Sequence, residues 1–178
     1  MNKKKGLFIS FEGPEASGKS SQILLLQKYL TTKKISFITT REPGGTKLAE
    51  SLRNLILKIK SDINIDEEIL MLMAARSHHI NNVIKPALDK GILVISDRFA
   101  DSTFVYQGYV NNFGIQKAKS LHKNILNNFL PHKTFLFNLS SSKIIARLKK
   151  RKSKNKYDKL ERNFHDQVNR GYELISKN

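Results

Sequence analysis

The chain contains no cysteine. That excludes disulfides, thiol nucleophiles and cysteine-ligated zinc, and it suits a reducing cytoplasm. No apolar run approaches the length of a membrane span. The lysine-rich start, Met1 to Lys5, is followed by an apolar stretch that stops at Glu12, too short for the core of a secretory signal. A soluble, cytoplasmic protein is expected, with no membrane partner. Internal repeats, low-complexity linkers and the Asn-Lys-x-Asp signature that reads guanine are also missing, which argues against arrays, tethered modules and a switch GTPase. Acidic residues are scarce: 15, against 32 lysines and arginines, for a net charge of +17. Such an excess suits nucleic acid. The basic residues, however, are spread along the whole chain and concentrate only between Arg147 and Lys159, so an enzyme capturing polyanionic small substrates is the better reading and nucleic acid the lesser one. With 178 residues and 39% hydrophobic content, the chain suits one domain spanning 1–178.

What is present centres on Gly13-Pro14-Glu15-Ala16-Ser17-Gly18-Lys19-Ser20, preceded by apolar Phe8 to Phe11 and followed by Ile23 to Leu26. Strand, glycine loop and helix arrive in the order that the G-x-x-x-x-G-K-[ST] phosphate loop requires. Inward-turned backbone N–H groups and a helix N-terminus make an anion cradle there. Lys19 is expected to reach the β/γ-phosphates of a nucleotide, and the Ser20 hydroxyl to ligate Mg²⁺.

Three further strands are expected: Ile35 to Thr39, Gly91 to Arg98 and Thr134 to Leu139. Helical patterns separate them. One is capped by Thr46 and carries Leu48, Leu52, Leu55 and Ile56; a second is capped by Asp66 and runs to about Leu88, with Pro86 bending its last turns. A third ends at Pro131, a fourth begins at Ser142, and a long final one carries Tyr157, Leu160, Phe164, Val168, Tyr172 and Ile175. Alternating strands and helices imply an α/β, doubly wound parallel sheet.

Arg41-Glu42 and Asp97-Arg98 fall at strand carboxyl ends, where such sheets bind ligands. The arginines suit a phosphate, and the Asp97 carboxylate suits Mg²⁺ or the orientation of a nucleophile. Arg76 is a charge in an apolar helix face and needs a polar partner. His78 and His79 point in different directions and are read as surface residues. Tyr106 suits either nucleoside recognition or core packing.

In order, Gly13-x-Glu15-x-x-Gly18-Lys19-Ser20, Arg41-Glu42-Pro43-Gly44-Gly45-Thr46, Ala74-Ala75-Arg76, Asp97-Arg98-Phe99, Asp101-Ser102-Thr103, Tyr106-Gln107-Gly108 and Asp158-Lys159-Leu160-Glu161 together resemble the thymidylate kinase family, bacterial type, from about Leu7 to Tyr172. The resemblance implies a P-loop kinase fold and transfer of the ATP γ-phosphoryl to dTMP. It assigns ATP to Gly13 through Ser21, with Pro14, Ala16 and Ser17 in the loop. Mg²⁺ falls to Ser20 and Asp97, the dTMP phosphate to Arg41 and Arg98, and the sugar hydroxyl to Glu15. Arg76 takes the thymine edge, with Leu72, Thr103, Tyr106 and Gln107 around the nucleoside. Catalysis would rest on Lys19, Asp97, Arg98 and Arg151. Arg151 lies in a basic flap at about 147–160, where Arg147, Lys156 and Lys159 are the other candidates.

Leu72 stands where the family stacks a phenylalanine on the base, and Lys159 where it has arginine. A fifth edge strand and last helix are not recognisable. A homodimer, with the helix from Asp66 to Leu88 as candidate contact, is also implied. The alternatives are a kinase for another nucleoside monophosphate, or a non-catalytic phosphate-loop protein that binds nucleotide or nucleic acid.

Overall fold

The structure is a computed structural model that describes residues 5–58, 63–151, 157 and 161–177. Its sheet has strands β1 (Phe8–Glu12), β2 (Phe37–Arg41), β3 (Leu93–Asp97) and β4 (Lys133–Leu136) in the order β2-β3-β1-β4. Every pairing is parallel. Parallel strands need crossovers, and helices supply them on both faces, so β1 is buried at all five positions.

Side chains alternate between two cores. Phe8 and Val94 face one that includes Ile69, Met73 and Phe99, while Ile9, Phe11 and Ile95 face another built on Ile23 and Leu30 of helix α1 (Lys19–Thr32). Alternation along a pleated strand allows one pentapeptide to serve both. The register aligns Phe11 with Asp97 and Arg41 with Asp97, so the carboxyl ends of β1, β2 and β3 stop at one level. The glycine loop, Arg41 and Asp97-Arg98 therefore emerge at one edge. β4 is exposed at all four positions and, among the described residues, pairs only with β1.

Thr46 caps α2 (Lys47–Lys58) through its hydroxyl, which accepts the Ala49 N–H at 3.1 Å. Asp66 does not cap α3 (Ile65–His79). Asn64 does: its Oδ1 accepts from Glu67 N–H at 2.9 Å, while Glu67 Oε2 accepts from Asn64 N–H at 2.8 Å. An amide paired with a glutamate three residues on satisfies two helix-end donors at once. Asp66 instead pairs with Lys117 at 3.1 Å.

The helix expected to reach Leu88 is interrupted by a π-helical turn, Ile80–Ile84, and resumes as α4 (Lys85–Asp89) with Pro86 in its first turn. There the missing N–H costs little. After β3, α5 (Ala100–Thr103) widens into a second π-helical turn, Phe104–Val110. Helix α6 (Ile115–Leu126) stops well before Pro131 because Asn127 and Asn128 turn left-handed. Strand β4 is correspondingly shorter than expected at its far end. Helices α7 (Ser141–Lys149) and α8 (Arg162–Ser176) complete the chain. Tyr157 precedes α8 instead of starting it. Of the expected basic flap, residues 152–156 and 158–160, Lys156 and Lys159 among them, lie outside the described residues.

Candidate active site

Gly13 follows β1 with φ +134°, and a Cβ there would collide with the Phe137 carbonyl, so only glycine lets the loop leave the sheet. Gly18, at φ +104°, precedes α1. Lys19, the first residue of that helix, is buried, with Nζ donating to the Gly13 and Pro14 carbonyls at 3.0 and 2.7 Å. Burial, then the neighbouring Arg98 charge, pushes its pKa down to about 7. A phosphate entering the loop would give the ammonium a counter-charge and raise that pKa again. Nucleotide binding should therefore take up close to one proton at pH 8, and affinity should fall as pH rises above about 7. Titration calorimetry in buffers of different ionisation heat checks this; zero uptake or net release would contradict it.

Ser20 Oγ donates to Asp97 Oδ2 at 2.8 Å, bringing together a hydroxyl and a carboxylate from α1 and the tip of β3. Among the described residues no cluster of three or more Asp, Glu, His or Cys could hold a metal ion. The Ser20–Asp97 pair nonetheless fits Mg²⁺, which commonly takes one or two protein oxygens and completes its shell with phosphates and water.

The residue after Asp97 bends the chain back. Arg98 has φ +71°, and its guanidinium reaches over the loop: one nitrogen donates to Gly13 O, Ser102 Oγ and Tyr172 OH at 2.9, 3.0 and 3.1 Å, the other to Glu15 Oε1 at 3.0 Å. Tyr106 lies under this guanidinium, 5.2 Å from ring centre to Cζ, and donates its hydroxyl to Glu15 Oε2 at 2.7 Å. Burial works to raise the Glu15 pKa, but the Arg98 charge, the Tyr106 hydroxyl and Lys19 outweigh it and hold the carboxyl below its usual value. The packing reading of Tyr106 is supported by its ring contacts with Tyr157, Phe164 and Tyr172.

Arg76, 3% exposed, finds the partner its position demanded. Nε donates to Glu42 Oε2 at 2.6 Å, and one terminal nitrogen donates to Thr103 Oγ1 and Phe99 O at 2.8 and 3.2 Å. The other terminal nitrogen, Nη1, has no hydrogen-bond partner among the described residues. Gln107 donates to Glu68 Oε1 at 2.7 Å, which also accepts from Tyr157 at 3.1 Å. Arg41 is the outlier. It grips Glu50 with three hydrogen bonds, of 3.4, 3.1 and 3.0 Å, and its side chain is 57% exposed.

Glu15, Arg41, Glu42, Arg76, Arg98 and Tyr106 line one cavity of about 280 Å³, together with Lys19, Ser20, Asp97, Leu72 and Arg151. Gln107 and Thr103 lie in the same wall. Two corrections follow. His79 is fully buried against Glu42 and Thr40, and half-buried His78 shares the Thr46 hydroxyl at 3.0 Å; the side-chain-free Gly45 lets the His79 ring press onto the loop. Sequence reasoning also passed over Arg53, which lines the cavity and donates to Pro43 O at 2.8 Å. Its signal was available: Ala49, Arg53 and Ile56 share the helical spacing of the buried face of α2.

The thymidylate kinase family model matches residues 11–178. The chain is 42% identical over 176 residues to a protein named thymidylate kinase from Mycoplasma capricolum, covering 97% of this chain and 83% of that protein. It is 40% identical over 176 residues to the thymidylate kinase of Carboxydothermus hydrogenoformans, covering 97% and 85%. The crystal structure of thymidylate kinase from Ehrlichia chaffeensis superimposes with a TM-score of 0.77 at 32% identity, over 97% of this chain and 87% of that one. Sequence motifs, sheet order and near full-length similarity agree: this chain belongs to the thymidylate kinase family.

Proposed function

We propose that this chain transfers the γ-phosphoryl group of ATP to the phosphate of dTMP, giving dTDP and ADP. The observation that carries the reading is the 2.9 Å bond from Arg98 to the carbonyl of Gly13: the guanidinium suited to the acceptor touches the loop suited to the donor. Two polyanions brought to these sites would meet with their phosphates adjacent.

Gly13 to Ser21 and the N-terminus of α1 hold the ATP phosphates, with Lys19 on the β/γ oxygens. Ser20 and Asp97 would hold Mg²⁺, which would supply charge neutralisation to the phosphates. Arg98, joined by Arg41 once it leaves Glu50, clamps the dTMP phosphate. Glu15 takes the sugar hydroxyl. Arg76 addresses the base edge, in a wall shared with Leu72, Thr103, Tyr106 and Gln107. An oxygen of the dTMP phosphate bonds to the γ-phosphorus as the bond to the ADP oxygen breaks. The acceptor is already anionic near pH 7, so alignment and charge neutralisation do the work without a strong base. Arg151, on the cavity wall beyond α7, supplies a cation to the transferring group.

The whole of 1–178 acts as one unit, in the cytoplasm. A homodimer through α3 suits the exposed Leu70 of that helix. Among the described residues no helix is long and apolar enough to cross a membrane.

ADP release measured with dTMP, dUMP, CMP and dGMP tests the reading. A marked preference for dTMP is expected, and preference for another monophosphate, or no turnover with any, would overturn it. In the same assay Arg151→Ala should lower kcat at least about tenfold with the KM for dTMP little changed. A change in KM alone would remove Arg151 from the chemistry.

A further inference from the structure

The proposed reading uses Arg76 and leaves unexplained a fully buried histidine two bonds behind it. His79 Nδ1 stands 2.9 Å from Glu42 Oε1, and its Nε2 stands 2.7 Å from Thr40 Oγ1. Glu42 is 4% exposed, and its second oxygen takes Arg76 Nε at 2.6 Å. As a carboxylate Glu42 can only accept, so the proton at the first contact is on Nδ1, and Nε2 is free to accept from the Thr40 hydroxyl. The order Thr40–His79–Glu42–Arg76 runs without a break from β2, through α3 and the loop after β2, back to α3.

Each link removes a freedom. Thr40 and the closely approaching Gly45 hold the ring. The ring occupies one carboxylate oxygen and leaves Arg76 the other. Nε is thereby taken by Glu42 and one terminal nitrogen by Thr103 and Phe99 O, so Nη1, without a partner among the described residues, is the guanidinium nitrogen left for a group entering the cavity that Arg76 lines. Arg76 itself adds a further restraint, its guanidinium lying 5.2 Å over the Phe99 ring. Burial works to raise the Glu42 pKa, and Arg76 and His79 together keep the carboxyl ionised and below its usual value.

We infer that His79 is a positioning residue for the nucleobase: by locking Glu42 it fixes the orientation in which Arg76 presents Nη1 to dTMP. The inference rests on the reading of Arg76 as the base contact. It separates two functions of one site, since among the described residues no side-chain hydrogen bond of Arg98 or Lys19 goes to a member of this set.

Steady-state kinetics on four variants test it. His79→Leu should raise the KM for dTMP at least about tenfold while kcat and the KM for ATP move less than about threefold. His79→Asn, whose amide can still donate to Glu42, should recover most of that loss. Arg76→Ala should raise the KM for dTMP at least as far. In the Arg76→Ala background, His79→Leu should add less than about twofold, because it acts through the missing group. Should His79→Leu fail to fold, Thr40→Val, alone and combined with Arg76→Ala, carries the same cycle with a smaller increment. Independent, multiplying effects in the double variant would overturn the relay, as would an unchanged KM for dTMP in a folded His79→Leu. If Arg76→Ala itself leaves that KM untouched, the assignment of Arg76 to the base fails instead.

Discussion

Lys19→Ala is expected to lower kcat by about a thousandfold while leaving the protein at least as stable as the parent. The catalytic loss follows from geometry. Lys19 opens α1 beside the glycine loop, and a preorganised cation aimed at charge that develops during transfer is worth about 10²–10³ in rate. The stability forecast comes from the same burial. Lys19 is 6% exposed and rests on two neutral carbonyls and the Ser17 hydroxyl, so its charge is inadequately paired and its pKa falls to about 7. Between about pH 7 and 10.5 the unfolded chain binds more protons at this site than the folded one, so the parent should gain stability as pH rises through that window. Lys19→Ala should lose that gain. Thermal unfolding at pH 7 and pH 9, beside a coupled ADP assay, reads both effects. Retained turnover in this variant would remove the loop from the chemistry, and a large loss of stability would mean the ammonium is better compensated than its carbonyl partners suggest.

Arg98→Ala is expected to damage activity and folding together. Its guanidinium makes four hydrogen bonds, one of them a 3.0 Å ion pair with Glu15, whose side chain is 8% exposed. Removing one member of a largely buried pair costs about 3–5 kcal/mol, because the other is left charged without compensation. The 18% exposure of Arg98 puts the expected loss at the lower end.

The pH dependence carries a sign. In the parent the Glu15 pKa lies below its usual value, so its contribution is present at neutral pH and is lost as pH falls through the folded pKa. Without Arg98, burial dominates and the pKa moves up; protonation then relieves the strain, and the deficit of the variant should shrink as pH falls from 7 to 5. Adding Glu15→Gln to Arg98→Ala should restore part of the stability and none of the activity. Denaturant unfolding and turnover with dTMP measure the two. A stable Arg98→Ala with normal turnover would mean that this residue holds neither the fold nor the acceptor.

Both forecasts concern residues that announce themselves in the chain. Gly13 to Ser20 is a local pattern: its glycines, lysine and serine are consecutive, so the spacing alone builds the cradle. Asp97-Arg98 ends an unbroken apolar run, which in a parallel sheet puts it at the ligand-binding edge. Periodicity located the strands and most helices for the same reason, since apolar residues two or three to four apart share a face. Boundaries were less legible. Asn64 instead of Asp66 caps α3, and α6 ends at Leu126, because these choices depend on which side chain reaches a particular N–H or adopts a left-handed turn.

The tertiary structure decided the partnerships. Nothing in the order of residues joins Arg76 to Glu42, 34 positions apart, or Arg98 to Glu15, 83 apart. His78 and His79, adjacent and polar, read as surface residues, yet packing α3 on the loop after β2 buries one completely and turns it toward Glu42. The sequence by itself determined the phosphate loop, the parallel α/β order and the residues that mark the family, because each is written in short-range spacing. Which guanidinium nitrogen lacks a partner among the described residues, which arginine is occupied by a carboxylate, and that Arg53 joins the cavity were decided only when distant elements packed, since hydrogen-bond partners are chosen by proximity in space.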